Sequence, residues 1–430
     1  MSTHPGKDKP GAAEKIDSLV RDVVFAGDEP ARRENRRLIR ELALSSGIFP
    51  ASIQGLYEAA GKGLYHGMTV PAINIRGITY EVARSVFQAA LKHRVGAFIF
   101  EIARSEIGYT GQRPSEYAAC VLAAGVREGF KGPVFIQGDH FQVNRSRYAA
   151  DPEKEMAAIK DLIRESVGAD FLNIDVDAST IVDLSQPTPD KQQENNCLVT
   201  AEMTRFIRDI EPRGVTISVG GEIGEVGKRN STVEDLTTFM SGYLSRLDSN
   251  LKGISKISVQ TGTTHGGVVL PDGSIARVQL DFETLEELSR LARENYGMAG
   301  AVQHGASTLP DDAFGLFPRA GVAEVHLATG FQNLIFDSPY FPKDLLKTIQ
   351  EHLSEHYIDE RSPDETDDQF FYKTRKRAFG DFKKEMWGLP ETKLSRIREM
   401  LQGRFSLLFH ELNVVGTADL IKKYVAQPQV

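Results

Sequence analysis

Residues 133–140 read PVFIQGDH, a short strand-forming run that stops at a glycine and is followed at once by an acid and an imidazole. The run does not alternate polar with apolar residues, as expected of a strand buried on both faces. The pattern recurs along the chain. Further short runs lie at Pro71–Ile75, Ala97–Ile102, Phe171–Val176, Val215–Val219, Lys256–Val259, Ala299–Gln303 and Ala323–Leu327, giving eight candidate strands. The stretches between them have a helical period. Val82, Val86 and Ala90 share one face, with Ala83, Phe87 and Leu91 beside them. Ser231-Thr-Val-Glu234 predicts a capping box. Asp281 can cap a helix carrying Leu285, Leu288 and Leu291, and Gly297 can end it. Strands alternating with helices demand a parallel sheet with right-handed crossovers. Eight such units between Val70 and Asp337 match the ~250 residues of a closed (β/α)8 (TIM) barrel, with an open doubly wound sheet as the alternative. The fold class is therefore α/β.

The barrel span, 70–337, is flanked by other material. Residues 1–69 begin with a Gly-, Pro- and Lys-rich segment expected to be disordered, then read as helices broken near Gly27–Pro30 and Gly47–Pro50. Residues 338–430 contain no strand pattern. Lys343–His356, Lys373–Trp387 and Thr392–Leu412 read as helices, and Ser362–Asp368 (SPDETDD) as a solvated acidic loop. Leu394, Ile397, Leu401 and Phe405 form an apolar stripe that should bury against the barrel or a second copy of the chain. That stripe predicts a homo-oligomer, a dimer or higher.

Composition excludes several functions. The chain has 430 residues, 51 basic and 59 acidic, for a net charge of −8. No basic surface is forced, so no nucleic-acid partner is expected. The two cysteines, Cys120 and Cys197, cannot build a disulfide framework or a Cys-rich zinc module. No apolar run is long enough to span a bilayer, and the first residues lack the apolar core of a secretory signal. A cytoplasmic protein without a membrane partner is the expectation.

Barrel enzymes build their sites beyond the C-terminal ends of the strands. Three histidines stand there: His140 after PVFIQ, His265 in TGTTHGG after the sixth run, and His304 in QHGAS after the seventh. Three converging imidazoles make a Zn²⁺ site with an open coordination position; the alternative is three satisfied loop histidines. Asp139 can transfer a proton to or from substrate, or merely orient an imidazole. After the fifth run, GGEIGEVG places Glu222 as a possible metal ligand and Glu225 as a possible base, or both as solvated loop acids. Gly266-Gly267, Gly305-Ala-Ser307 and Thr329-Gly330 offer amides and hydroxyls suited to a phosphate.

In order, VPAINI, FIQGDH, NID, Gln193–Asn196, VGGEIGEVG, TGTTHGG, QHGAS and Gly321–Thr329 resemble the class II, metal-dependent ketose-bisphosphate aldolases over roughly Val70 to Asp337. The resemblance implies a lyase acting on a phosphorylated ketose through an enediolate. It implies Zn²⁺ or another divalent metal on His140, His265 and His304, and a monovalent cation as a further expectation. Asp139 matches the proton-transferring residue. Glu222 and Asp175 match carboxylates of an alternative metal position. Asn74 matches a substrate-side position, and Ser307 and Thr329 match phosphate-binding ones. The last strand departs from the family's Asn-x-Asp-Thr, having His326 and Ala328 instead, and Ala103 stands where a Ser is usual. The donor-binding shell is therefore changed, which predicts a substrate other than fructose bisphosphate. Gly108–Gly111, GDHFQVN and IDVDAS also resemble the non-catalytic accessory subunit of tagatose-bisphosphate aldolase, but the His-Gly-x-Ser after the seventh run favours an enzyme. A metal-dependent epimerase or isomerase using the same enediolate is the third reading.

Overall fold

The computed structural model describes residues 12–224, 229–262, 270, 280–425 and 427. Among the described residues, nine parallel strands form one sheet: β1 (Ile48–Ala51), β2 (Val70–Asn74), β3 (Ile99–Ala103), β4 (Gly132–Gln142), β5 (Asn173–Asp177), β6 (Ser218–Glu222), β7 (Lys256–Ser258), β8 (Ala301–Gln303) and β9 (Glu324–Leu327). β2 to β9 follow one another around a ring. β9 pairs back onto β2, from Val70 opposite Glu324 to Ile73 opposite Leu327, and so closes a (β/α)8 barrel. All eight expected runs form these strands. Closure leaves no exposed edge, which is why unalternating, fully buried sequences can serve.

β1 corrects the sequence reading. Gly47–Pro50 looked like a helix break, but Ile48–Ala51 is a buried strand paired with β4 from Ile48 opposite Gly132 to Ala51 opposite Phe135. It fills the splay between β4 and β5 at the N-terminal end of the barrel. The Asn173 side chain stitches it there, accepting from the Ile53 amide (2.9 Å) and donating to the Ala51 (3.3 Å) and Ile136 (3.0 Å) carbonyls. Pro50 suggested a turn because proline cannot donate in a ladder. An edge strand with one partner tolerates that loss.

Helix ends follow local chemistry. Asp281 accepts from the Thr284 amide (3.0 Å) and Gly297 ends that helix in the left-handed conformation, as expected. The capping box before helix Val233–Leu244 lies one residue later than expected. Thr232 and Asp235 form it, whereas Ser231 Oγ accepts from the Gln260 amide (2.9 Å) beyond β7. A neighbouring loop competed for the serine, which the local pattern could not show.

The C-terminal helices pack on the barrel's outer layer within the same chain. Helix Glu391–Glu411 lies on helix Thr79–His93, and Leu394, Ile397, Leu401 and Phe405 are all buried. The Phe405 ring sits 4.8 Å from that of Phe331. The apolar stripe is thus covered by the protomer itself. Ser362–Asp368 is not simply a solvated loop. Thr366 caps helix Asp367–Thr374, and Ser362 to Glu365 wall a cavity beside the barrel mouth. No helix among the described residues is long and apolar enough to cross a membrane.

Candidate active site

The strand ends of β2, β3, β4, β8 and β9 surround a cavity of about 710 Å³. Its floor is set by β4. The β4–β5 pairing shifts register between Gly138 and Phe141, and His140 at that irregularity has a φ of +39°. A Cβ at Gly138 would collide with the Phe141 ring, so only glycine lets the strand bend here. A histidine in a left-handed conformation stores strain that the surrounding fold must hold. The bend aims both Asp139 and His140 at the cavity.

His140 Nδ1 lies 3.0 Å from Asp177 Oδ2 and 3.3 Å from Glu222 Oε2. Asp177 is itself fixed by Ser179 Oγ (2.6 Å) and Gln142 Nε2 (2.6 Å), which hold its pKa down at about 2 together with His140, against the opposing effect of burial. These carboxylates orient the imidazole through Nδ1 and turn Nε2 toward Asp139 Oδ1, 4.0 Å away. His304 Nε2 approaches the same oxygen at 3.4 Å, and the two rings are 4.1 Å apart. Asp139, His140 and His304 each offer an atom within 4.8 Å of the others. Burial and the nearby His326 and His140 push the His304 pKa well below its ordinary value, so that ring is neutral and able to coordinate. Burial alone would raise Asp139, but His140, His326 and His304 outweigh it and keep its carboxyl ionised. Two imidazoles converging beside an ionised carboxylate suit a divalent cation held by the imidazoles. Burial and Asp177 push Glu222 up to about 7.

Asp175 lies beneath this cluster, with its carboxylate within 4.8 Å of Asp139 and His326. It faces the barrel interior, 3.0 Å from Lys256 Nζ and 3.7 Å from His326 Nε2. His326 lies between the two regions. Its Nδ1 is 3.1 Å from Glu101 and 3.3 Å from Asp139, its Nε2 is 2.7 Å from Glu324, and its ring is 4.1 Å from that of His304. It lines the cavity floor; its Nε2 bonds Glu324, while Nδ1 lies near Glu101 and Asp139 without a hydrogen bond among the described residues. His265, Gly266 and Glu225 lie outside the described residues.

The rim carries polar groups. Glu106 accepts from Asn74 Nδ2 (2.7 Å), Arg76 Nε (2.7 Å) and the Ala103 amide (2.8 Å). Asn74 Oδ1 is buried without a hydrogen-bond partner among the described residues. Ser307 Oγ accepts from the Ala328 amide (2.7 Å), joining the loops after β8 and β9, and Thr329 opens helix Thr329–Phe336 beside Gly305. A Cβ at Gly330 would press on the Ser307 carbonyl, so the loops meet without a side chain between them.

The sequence reading missed Asp177, Arg76 and Glu106 at the cavity. It also missed the buried set below it: Glu101, Gln137, Lys256, Glu324 and Tyr57. The signal was present for three of them. Glu101, Lys256 and Glu324 are charged residues inside apolar strand runs, which cannot be exposed if the strand is not.

Comparison with known proteins agrees with this geometry. The fold resembles fructose-bisphosphate aldolase from Campylobacter jejuni (16% identity, 86% of this chain and 97% of that chain, TM-score 0.51). It resembles a fructuronate-tagaturonate epimerase from Cohnella laeviribosi with bound glycerol (12%, 90% and 86%, TM-score 0.58). A third similar structure is a probable tagatose 6-phosphate kinase from Sinorhizobium meliloti (16%, 83% and 93%, TM-score 0.53). At these identities the likeness is one of fold. No curated protein matches by sequence. The profile of fructose-bisphosphate aldolase class-II matches residues 53–385, most of the chain and nearly all residues of the cavity. The protein belongs to the class II fructose-bisphosphate aldolase family.

Proposed function

We propose that the protein is a carbon–carbon lyase that reversibly cleaves a phosphorylated ketose. The observation that carries this reading is the convergence of Asp139, His140 and His304 on the floor of a cavity whose rim holds Ser307 and Thr329. His140 and His304, with His265 as the family resemblance implies, would hold a divalent cation, Zn²⁺ in the first instance. When bound, the cation supplies Lewis-acid stabilisation of the negative charge that develops on an enediolate. Asp139, kept ionised by the surrounding imidazoles, takes the proton from the hydroxyl that becomes the aldehyde oxygen and returns it in the reverse direction. Asn74 Oδ1, buried without a hydrogen-bond partner among the described residues, offers an acceptor to a substrate hydroxyl. Ser307 Oγ–H and the N-terminal turn at Thr329 anchor a phosphate, whose binding energy positions the reacting carbons.

His326 and Ala328 alter the donor side, so the preferred ketose phosphate differs from fructose 1,6-bisphosphate. The test is a panel of phosphorylated ketoses with released aldehyde trapped, with and without chelator. Aldehyde release that chelator abolishes and Zn²⁺ restores is expected. A change of configuration without aldehyde would assign the site to an epimerase. No turnover and no bound metal would assign the chain to an accessory role.

A further inference from the structure

At the end of the barrel opposite the candidate active site, the turns that lead into β8 and β9 enclose a cleft of about 500 Å³ together with residues 65–68. Its volume suits a small organic molecule. Four basic side chains, His66, Arg290, Arg293 and Arg319, line it against two acids, Glu286 and Glu294. In a chain of net charge −8 this is a local excess of positive charge. Arg293 is the built part of the cleft. It stands half-buried in the last turn of helix Phe282–Tyr296. Its Nη1 donates to the Gly321 carbonyl and, at 3.3 Å, to the Ala299 carbonyl. Gly300 and Gly321 cradle the guanidinium: both have positive φ, and a Cβ on either would press on an Arg293 nitrogen. The carbonyls that hold it belong to the turns that start β8 and β9, the strands that lead to His304 and carry His326.

Elsewhere in this fold buried or partly buried guanidinium groups meet carboxylates. Arg76 pairs with Glu106, Arg104 with Glu155 and Arg398 with Glu81. Arg293 pairs with no carboxylate among the described residues; it meets two carbonyls and the negative end of its own helix. Burial lowers its pKa, and the charge of Glu294 opposes that only in part. Glu294 itself faces Arg290, at 4.0 Å, and Glu286 is exposed. Arg319 is exposed at the rim and, among the described residues, makes no ion pair or hydrogen bond; the Tyr65 hydroxyl makes no hydrogen bond there either. A half-buried cation that shares a cleft with further cations is stabilised when an anion enters.

We propose that this cleft binds a small phosphate-bearing molecule, its phosphate received by Arg293 and Arg319, at the end of the barrel away from the chemistry. Guanidinium forks suit a phosphate because each can give it two parallel hydrogen bonds. The cleft is larger than one phosphate needs, which favours an organic phosphate ester over the free ion. An anion on Arg293 braces the turns that start β8 and β9. The site does not depend on which reaction the other end of the barrel performs.

The test is amide hydrogen exchange read by mass spectrometry on the full-length protein. The probes are inorganic phosphate, ribose 5-phosphate and, for ionic strength, chloride. Peptides covering 297–301 and 319–323 should exchange more slowly with either phosphate probe and unchanged with chloride. The probe that protects at the lower concentration identifies an ester or the free ion. Arg319→Ala removes an exposed side chain that the fold does not use. It should raise the concentration for half-protection about tenfold, the usual worth of a charge-assisted hydrogen bond. Arg293→Lys, which keeps the charge but loses the fork, should raise it as well. Peptides covering 304–309 and 328–332 report a phosphate at the barrel mouth separately, and Arg319→Ala should leave their response unchanged. No protection of 297–301 and 319–323 by either phosphate probe, equal protection by chloride, or a half-protection concentration that both variants leave unchanged overturns the site.

Discussion

Two clusters of titratable groups sit one above the other in this barrel, and they are built for opposite ends. The upper cluster, Asp139, His140 and His304, opens on the cavity. The lower one, Glu101, Gln137, Asp175, Lys256, Glu324 and His326 with Tyr57 beneath, is buried among the strands, with Glu101 and His326 reaching the cavity floor. In the lower cluster Lys256 Nζ pairs with Asp175 (3.0 Å) and Glu324, and donates to Gln137 Oε1 (2.8 Å). Gln137 Nε2 in turn donates to Glu324 (2.8 Å) and Glu101 (3.1 Å), and the Tyr57 hydroxyl donates to Glu324. Burial, reinforced by Asp139, pushes Glu101 up to about 8 and leaves it protonated at neutral pH, whereas Lys256 and His326 stay charged opposite Glu324 and Asp175. Ion pairs link most of its charges, although the Asp175 carboxylate and His326 Nδ1 make no hydrogen bond among the described residues. The upper cluster opens on the cavity, with a neutral imidazole and an ionised carboxylate on its floor. The same residue types therefore brace the barrel where protein groups satisfy them, and serve chemistry where a ligand must complete them.

The sharpest way to break this contrast is Asp139→Asn. It should lower kcat by about 10²–10⁴-fold, the usual weight of a general acid–base group, with the folded state retained. Steady-state kinetics beside a melting curve reads both, and a variant of normal kcat would remove Asp139 from the chemistry. The reciprocal change in the lower cluster is Lys256→Met. Stranding Asp175 and Glu324 without their cation should cost about 3–5 kcal/mol of stability. Adding Glu324→Gln should recover part of that loss, because partners in one network are not additive. Denaturant unfolding of the three proteins measures it, and an unchanged midpoint would mean the lower cluster bears no structural load. The smallest expected effect is Asp177→Asn. It should weaken metal affinity by about 10–100-fold through misorientation of His140, with little change in stability. Equal affinity in a competition titration would show that the β4 bend alone fixes the imidazole.

The helical tail extends the comparison outward. Its apolar stripe was legible as 394, 397, 401 and 405, spaced to share one helix face, but its destination was not. The stripe could equally have met another subunit, and only the packing on helix Thr79–His93 decides for the chain's own surface. SPDETDD shows the same limit. Composition reads as solvated loop, yet position makes Ser362 to Glu365 a wall of a cavity.

The sequence by itself determined the barrel and most of its floor. Eight short, unalternating runs can be satisfied only by strands covered on both faces, and a residue just past such a run must stand at the barrel's C-terminal end. That logic finds Asp139, His140 and His304 without coordinates, because strand order and strand end are properties of the chain. It cannot say which way a side chain at a strand end turns, or which distant charge meets it. Asp175 was legible through the family resemblance and His326 as a strand-end residue near the chemistry; the tertiary structure sets one beside Lys256 and the other between Glu101 and Glu324. β1 and Asp177 against His140 were likewise decided only on folding. Each is a contact between segments far apart in sequence or a strand too short to have a pattern, and electrostatic pairing depends on distance in space, which local sequence does not encode.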